Sequence, residues 1–207
     1  MDIGLEKLTN LVLEMASLSE KSVSTSIEAY SSGRNLTSEI KNWSDELRKM
    51  QEEVSELSVE LIARYQPVAS DLRFIESCME ISYGFLRFGR YAYDIAEVLE
   101  MFGNLSDCDH KIVDVTAKTT KEMIRMSIDA FTKRDVELAK NIEKLDDFVD
   151  EKYREHISES LRDSQADLKC AMSATLILRY LERISDHSAY IGDSVMYIVS
   201  GQRSPRK

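Results

Sequence analysis

Four acidic side chains in the second half of the chain have the spacing to do chemistry. Glu182 and Asp186 lie four residues apart in the segment LERISDHSAYIG at 181–192, and Asp146 and Asp150 lie four apart in LDDFVDEKY at 145–153. In an α-helix, side chains at i and i+4 stand one above the other. Each pair is then either a solvated, mutually repelling couple or half of a metal site. On two facing helices the pairs bring four carboxylates together, an arrangement that is unstable without protons or cations. Oxygen-only donors suit magnesium, manganese, calcium or iron in a polynuclear arrangement.

Periodicity alone favours the solvated reading. The apolar stripe of the last helix is Ile177, Leu181, Ile184, Ile191, Val195 and Ile198, and Glu182 and Asp186 fall away from it. Asp146 and Asp150 flank the stripe of their own helix. A metal bound there would sit on the bundle surface, wet and exchangeable. His187 follows Asp186 directly and so points about 100° away from the pair. His110 and His156 read as exposed, the one property a phosphotransfer histidine needs. No Glu-x-x-His, glycine-rich phosphate loop, nucleophile elbow or Cys–His signature is visible.

The elements that must position these residues are helices. Apolar residues recur at three- and four-residue steps, as in Leu5, Leu8, Leu11, Val12, Met15 and Leu18, which is helical periodicity. The breaks fall at Ser31-Ser32-Gly33, Gln66-Pro67, Gly103 to Asp107, Thr132 to Asp135, and Arg162-Asp163-Ser164. Proline ends a helix by removing a donor and disfavouring helix in the residue before it. Six helices result, several near 30 residues, with Ser70 or Asp71 as the expected cap of the third. Ser26-Ile27-Glu28-Ala29-Tyr30 returns as Ser127-Ile128-Asp129-Ala130-Phe131, and Asp71-Leu72-Arg73 returns as Asp167-Leu168-Lys169. The chain therefore reads as all-α, two tandem three-helix bundles related by internal duplication: residues 1–103, residues 108–200, and a disordered tail at 201–207. Counted from Asp71 as Glu182 and Asp186 are from Asp167, the first half carries Leu86 and Arg90. Its acidic pair is missing.

Composition narrows the function classes. The 207 residues include 37 acidic and 27 basic ones, for a formal charge of -10. No basic run is long enough for nucleic acid. Cys78, Cys108 and Cys170 form neither a disulfide framework nor a CxxC motif, and they read as reduced thiols in a cytoplasmic protein. The N-terminus lacks a signal peptide, and no apolar run approaches the roughly 20 residues of a membrane span.

Three segments carry a family resemblance. RYQPVASDLR at 64–73 resembles the QPVxSDLR turn of the PhoU family of phosphate-uptake regulators, LERISDHSAYI at 181–191 resembles its LERIGDxxxNI helix, and LDDFVDEKY resembles the Asp-x-x-x-Asp pattern of its second repeat. The ending Val199-Ser200-Gly201 also fits. The resemblance implies two tandem three-helix bundles whose acidic motifs bind polynuclear iron or zinc at the surface. It implies a cytoplasmic, non-enzymatic regulator, a homodimer by expectation. Such a regulator restrains the phosphate ABC transporter, through its ATPase, and a sensor kinase, and it reaches the membrane only through these partners. Carried over residue by residue, the metal ligands are Asp146, Asp150, Glu182 and Asp186. The family's Gly is Ser185 here, and its Asn is Tyr190. In the first repeat the acidic positions fall on Ser44, Arg48, Leu86 and Arg90, so no metal is expected there. Arg48 and Arg90 are expected to supply fixed positive charge instead, paired with Asp45 or Asp94. Two other functions stay open on sequence: a regulator of another ion transporter, and a metal-dependent enzyme using the carboxylate cluster.

Overall fold

The computed structural model describes residues 1–163 and 167–203. Ser164 of the last expected break and residues 204–207 of the expected tail lie outside the described residues. Six helices account for the architecture: α1 Asp2–Ser32, α2 Thr37–Tyr65, α3 Ala69–Phe102, α4 Lys111–Lys133, α5 Val136–Arg162 and α6 Leu168–Ser200. Among the described residues there are no strands, and no helix is long and apolar enough to cross a membrane.

The breaks have local causes. Gly33, Gly103 and Gly201 close α1, α3 and α6 at positive φ, where only glycine escapes a steric penalty. Asp135 caps α5 by accepting from the backbone N–H groups of Glu137 and Leu138, and Asp167 caps α6 by accepting from Cys170 N–H. The twin position Asp71 does not cap. α3 starts earlier than the sequence pattern predicts, with Val68 as its N-cap and no side-chain bond there. Pro67 forces the chain into a tight corner, with Gln66 and Ala69 at φ 48° on either side, and the helix resumes at once.

α1–α3 pack as one three-helix bundle and α4–α6 as another, and α3 lies against α6. These two inner helices run antiparallel. Glu76 meets Tyr197, Gly84 meets Ile191, Tyr91 stacks near Tyr180, and Lys169 donates to the Asn104 carbonyl at 2.6 Å. The repeated Asp-Leu-Arg and Asp-Leu-Lys segments now have a shared role. The Arg73 guanidinium packs against the Gly201 cap of α6, and Lys169 bonds the carbonyl that follows the Gly103 cap of α3. Each places a cation at the negative end of a helix dipole. Fully buried Phe85, Phe88, Ile95, Ile177, Leu178 and Leu181 belong to one hydrophobic core that draws on both bundles.

That packing overturns the thiol reading. Cys108 and Cys170 form a disulfide, with Cα atoms 5.4 Å apart. They are 62 residues apart in sequence, and only the antiparallel α3–α6 pairing sets the start of α6 beside the loop after α3. Cys78 is the free cysteine among the described residues, and burial pushes its thiol up to about 12, Arg134 opposing weakly.

Candidate functional site

The structure brings all four sequence-predicted carboxylates together on the α5–α6 face. α5 and α6 approach closely at Gly192, where a Cβ would stand 3.1 Å from the Ala139 carbonyl oxygen. One helical stretch further along, Ser185 Oγ donates to Asp146 Oδ1 at 2.7 Å and lies 3.1 Å from Met123 Sδ. Asp150 stands one turn beyond Asp146, and Glu182 and Asp186 flank Ser185. These side chains are not the solvated face that periodicity predicts. Glu182 is 13% exposed, Asp186 25% and Asp150 27%. They lie beside the apolar stripe, and the partner helix and arginine stems cover them.

Burial has electrostatic consequences. Asp146, Glu182 and Asp186 are all held above the ordinary carboxylate range, first by desolvation. The carboxylates then raise one another. Asp186 and Asp150 act on Asp146, and the same two act on Glu182. The Ser185 hydroxyl opposes the rise at Asp146.

Three arginines answer this charge. Arg154 pairs with Asp150 at 2.8 Å, Arg179 with Glu182 at 2.6 Å, and Arg183 with Asp186 at 3.2 Å while also approaching Glu182 at 3.7 Å. Four carboxylates therefore face three guanidiniums. Glu182 Oε2 is buried and has no hydrogen-bond partner. That oxygen has only the Arg183 Nε, 3.7 Å away, as counter-charge, so the cluster could take a cation, and the oxygen-only donor set suits a hard or borderline metal. Among the described residues no group of three or more His, Cys, Asp or Glu side chains is placed to hold a metal ion as it stands. The arginines occupy the positions of charge balance, and a bound ion has to displace them. The sequence reading missed Arg154, Arg179 and Arg183. Their signal was present, since each is three or four residues from its partner on the same helix.

The first bundle has the same crossing with different chemistry. Gly89, the twin of Ser185 at the 96-residue offset, packs against Leu47 and the Ser44 backbone of α2. Arg48 pairs with Asp45 at 3.3 Å, and Arg90 pairs with Asp94 at 2.8 Å and faces the Tyr93 ring. Both expected pairings are present. Arginine stands at two of the four positions where the second bundle has carboxylates.

The histidines are not the exposed groups expected of them. His110 and His156 are half-buried, with Nε2 at 3.0 Å from the Leu105 carbonyl and 3.2 Å from the Ala171 carbonyl respectively. His110 ties the loop between α3 and α4 together, and His156 ties α5 to the first turn of α6. His187 points away from the carboxylates into Tyr83, Tyr91 and Tyr190. Burial lowers it to about 4, with Arg87 and Arg183 adding to the drop, so it is neutral at physiological pH.

The PhoU domain family model matches residues 12–99 and 114–195. A phosphate-specific transport system accessory protein PhoU homolog of Clostridium acetobutylicum is 31% identical over 96% of this chain and 94% of its own. A namesake from Pseudomonas aeruginosa is 29% identical over 95% of this chain and 84% of its own. The crystal structure of PhoU from Pseudomonas aeruginosa superposes with a TM-score of 0.88 at 29% identity, covering 97% of this chain and 99% of that one. The phosphate transport system regulatory protein PhoU from Streptococcus pneumoniae shares the fold, with a TM-score of 0.89 at 22% identity.

Proposed function

The chain belongs to the PhoU family, and from that premise we propose that it is an accessory protein of a phosphate-specific transport system, acting by contact rather than catalysis. The observation that carries this reading is the match, along nearly the whole chain, to proteins named as accessories of that system. In this reading residues 1–103 and 108–200 are the two repeat units. The protein works in the cytoplasm as a homodimer. Its partners are the ATPase of a phosphate ABC transporter and a sensor kinase, and it meets the membrane through them.

The same reading makes the second bundle the regulated one. Asp146, Asp150, Glu182 and Asp186 would hold iron or zinc there, and the ion would supply the positive charge that fixes α5 to α6. Glu182 Oε2, which has no hydrogen-bond partner, and the excess of one carboxylate over the arginines in the cluster support this. Ser185 holds Asp146 in place from the adjacent helix. The first bundle, with Arg48 and Arg90 already paired, needs no ion.

Deleting the encoding gene and following phosphate uptake in phosphate-replete medium tests the proposal. Release of uptake from restraint is the expected result. Uptake unchanged from the parent, with another ion's transport altered instead, would assign the protein elsewhere.

A further inference from the structure

A second acidic feature lies further along α6, where its end meets the start of α3. A cleft of about 280 Å³ opens there, lined by Glu76, Ser77 and Glu80 of α3, by Asp193 and Tyr197 of α6, and by Arg203 from the segment after α6. Glu76 and Glu80 are an i,i+4 pair, and Asp193 faces them from the other bundle. Three carboxylates thus line the cleft with Arg203 among them, on a chain whose formal charge is -10.

That cation shows what the cleft accepts. The Arg203 guanidinium pairs with Glu76 and lies over the Tyr197 ring, 4.7 Å from its centroid. The Tyr197 hydroxyl donates to the other Glu76 oxygen at 3.4 Å. A carboxylate oxygen at the guanidinium's edge and an aromatic ring against its plane favour arginine over lysine, whose compact ammonium does not stack. Arg203 does not complete the site. Ser77 is 2% exposed, lines the cleft, and its Oγ has no hydrogen-bond partner. A buried hydroxyl left unpaired is costly, and a guanidinium seated more deeply would supply a donor. The guanidinium already seated on Glu76 and Tyr197 marks the cleft's chemistry as that of an organic cation.

We propose that this cleft is an arginine-recognition site which the chain's own Arg203 fills in cis, and which takes an arginine from a basic segment of a partner protein once the tail leaves. The tail is then a tethered competitor. Its local concentration holds the site closed against weak ligands and yields to a segment that also reaches Ser77. The proposal does not depend on the phosphate reading, because it rests on Glu76, Ser77, Tyr197 and Arg203 alone.

The test uses full-length protein and a blocked peptide, acetyl-Gly-Gly-Arg-Gly-Gly-amide, with its lysine analogue as control. Binding is followed by calorimetry and by amide shifts at Ser77 and Tyr197. Arg203→Ala should bind the arginine peptide about tenfold more tightly than wild type, since the tethered competitor is gone. The lysine peptide should bind several-fold more weakly. Glu76→Gln in the Arg203→Ala background should abolish the gain, with helicity by circular dichroism unchanged. Equal affinity of wild type and Arg203→Ala, equal affinity for the two peptides, or binding that survives Glu76→Gln would each overturn the proposal. Competition that grows with wild-type protein concentration would put a second copy's tail in the cleft and overturn the assignment in cis.

Discussion

The two bundles share a framework and differ in charge at one crossing. In the first, α2 and α3 cross at Gly89 against Ser44, with Arg48 and Arg90 bound to their own helices' aspartates. In the second, α5 and α6 cross at Ser185 against Asp146, with three further carboxylates around them and three arginines on the flanks. Arg48 and Arg90 each have their own aspartate. At the second crossing four carboxylates meet three arginines, and a buried Glu182 oxygen has no hydrogen-bond partner. Duplication preserves the packing because helices must fit one another wherever they cross. Charge at a half-covered crossing is constrained less by the fold, so it can diverge toward a task in one copy only.

The largest test of that comparison concerns what the bundles share. Phe88 is fully buried in the core drawn from both bundles. Phe88→Ala should cost about 3–5 kcal/mol. Because the core spans both bundles, thermal unfolding should remain a single transition. Two separated transitions in calorimetry would show that the bundles are independent and that the comparison is between domains.

Next comes the covalent link. Cys108–Cys170 closes a loop of 62 residues across the second bundle. Cys108→Ser should lower stability by about 2–4 kcal/mol under oxidising conditions and by nothing further in excess dithiothreitol. Thiol titration of the unfolded protein should find one free thiol before reduction and three after. Three thiols before reduction would remove the link.

The charged crossings themselves give smaller effects. Arg183 serves two carboxylates, Glu182 and Asp186, whereas Arg90 serves Asp94 alone among the ion pairs. Arg183→Ala should cost about 1–2 kcal/mol and Arg90→Ala less than about 1 kcal/mol, by chemical denaturation in a chelating buffer. Added zinc should restore Arg183→Ala and leave Arg90→Ala unchanged. Equal response to zinc would erase the difference between the bundles.

The smallest effect is on pH dependence. Asp146, Glu182 and Asp186 bind protons more readily folded than unfolded. The stability that this proton binding contributes is fully present below the ordinary carboxylate range and is lost as pH rises through their raised values. Asp186→Asn should flatten that decline in a chelated denaturation series. An unaltered slope would mean that the cluster is better solvated than its burial indicates.

Much of this was legible in the sequence. Glycine, proline and the three- and four-residue steps locate the helix ends, and the returning Asp-Leu-Arg segment marks the duplication. The i,i+4 pairs name the four carboxylates. Periodicity misplaces them in solvent because it measures distance from an apolar stripe, and arginine stems can cover polar side chains as well as methyl groups can. The disulfide was hidden because Cys108 and Cys170 meet through α3–α6 packing, which no local pattern encodes. Arg203 looked like part of a loose tail, and its contact with Glu76 depends on the same antiparallel pairing.

The central proposal is that one crossing of the two binds a metal. The most direct measurement is elemental analysis with zinc and iron titration of wild type, Asp150→Ala/Glu182→Ala and Arg48→Ala/Arg90→Ala, each first stripped by chelation and checked for helicity. The account predicts metal uptake by wild type and by the first-bundle variant, and loss of uptake in the second-bundle variant. No uptake by wild type, or equal uptake by a folded Asp150→Ala/Glu182→Ala protein, would contradict it.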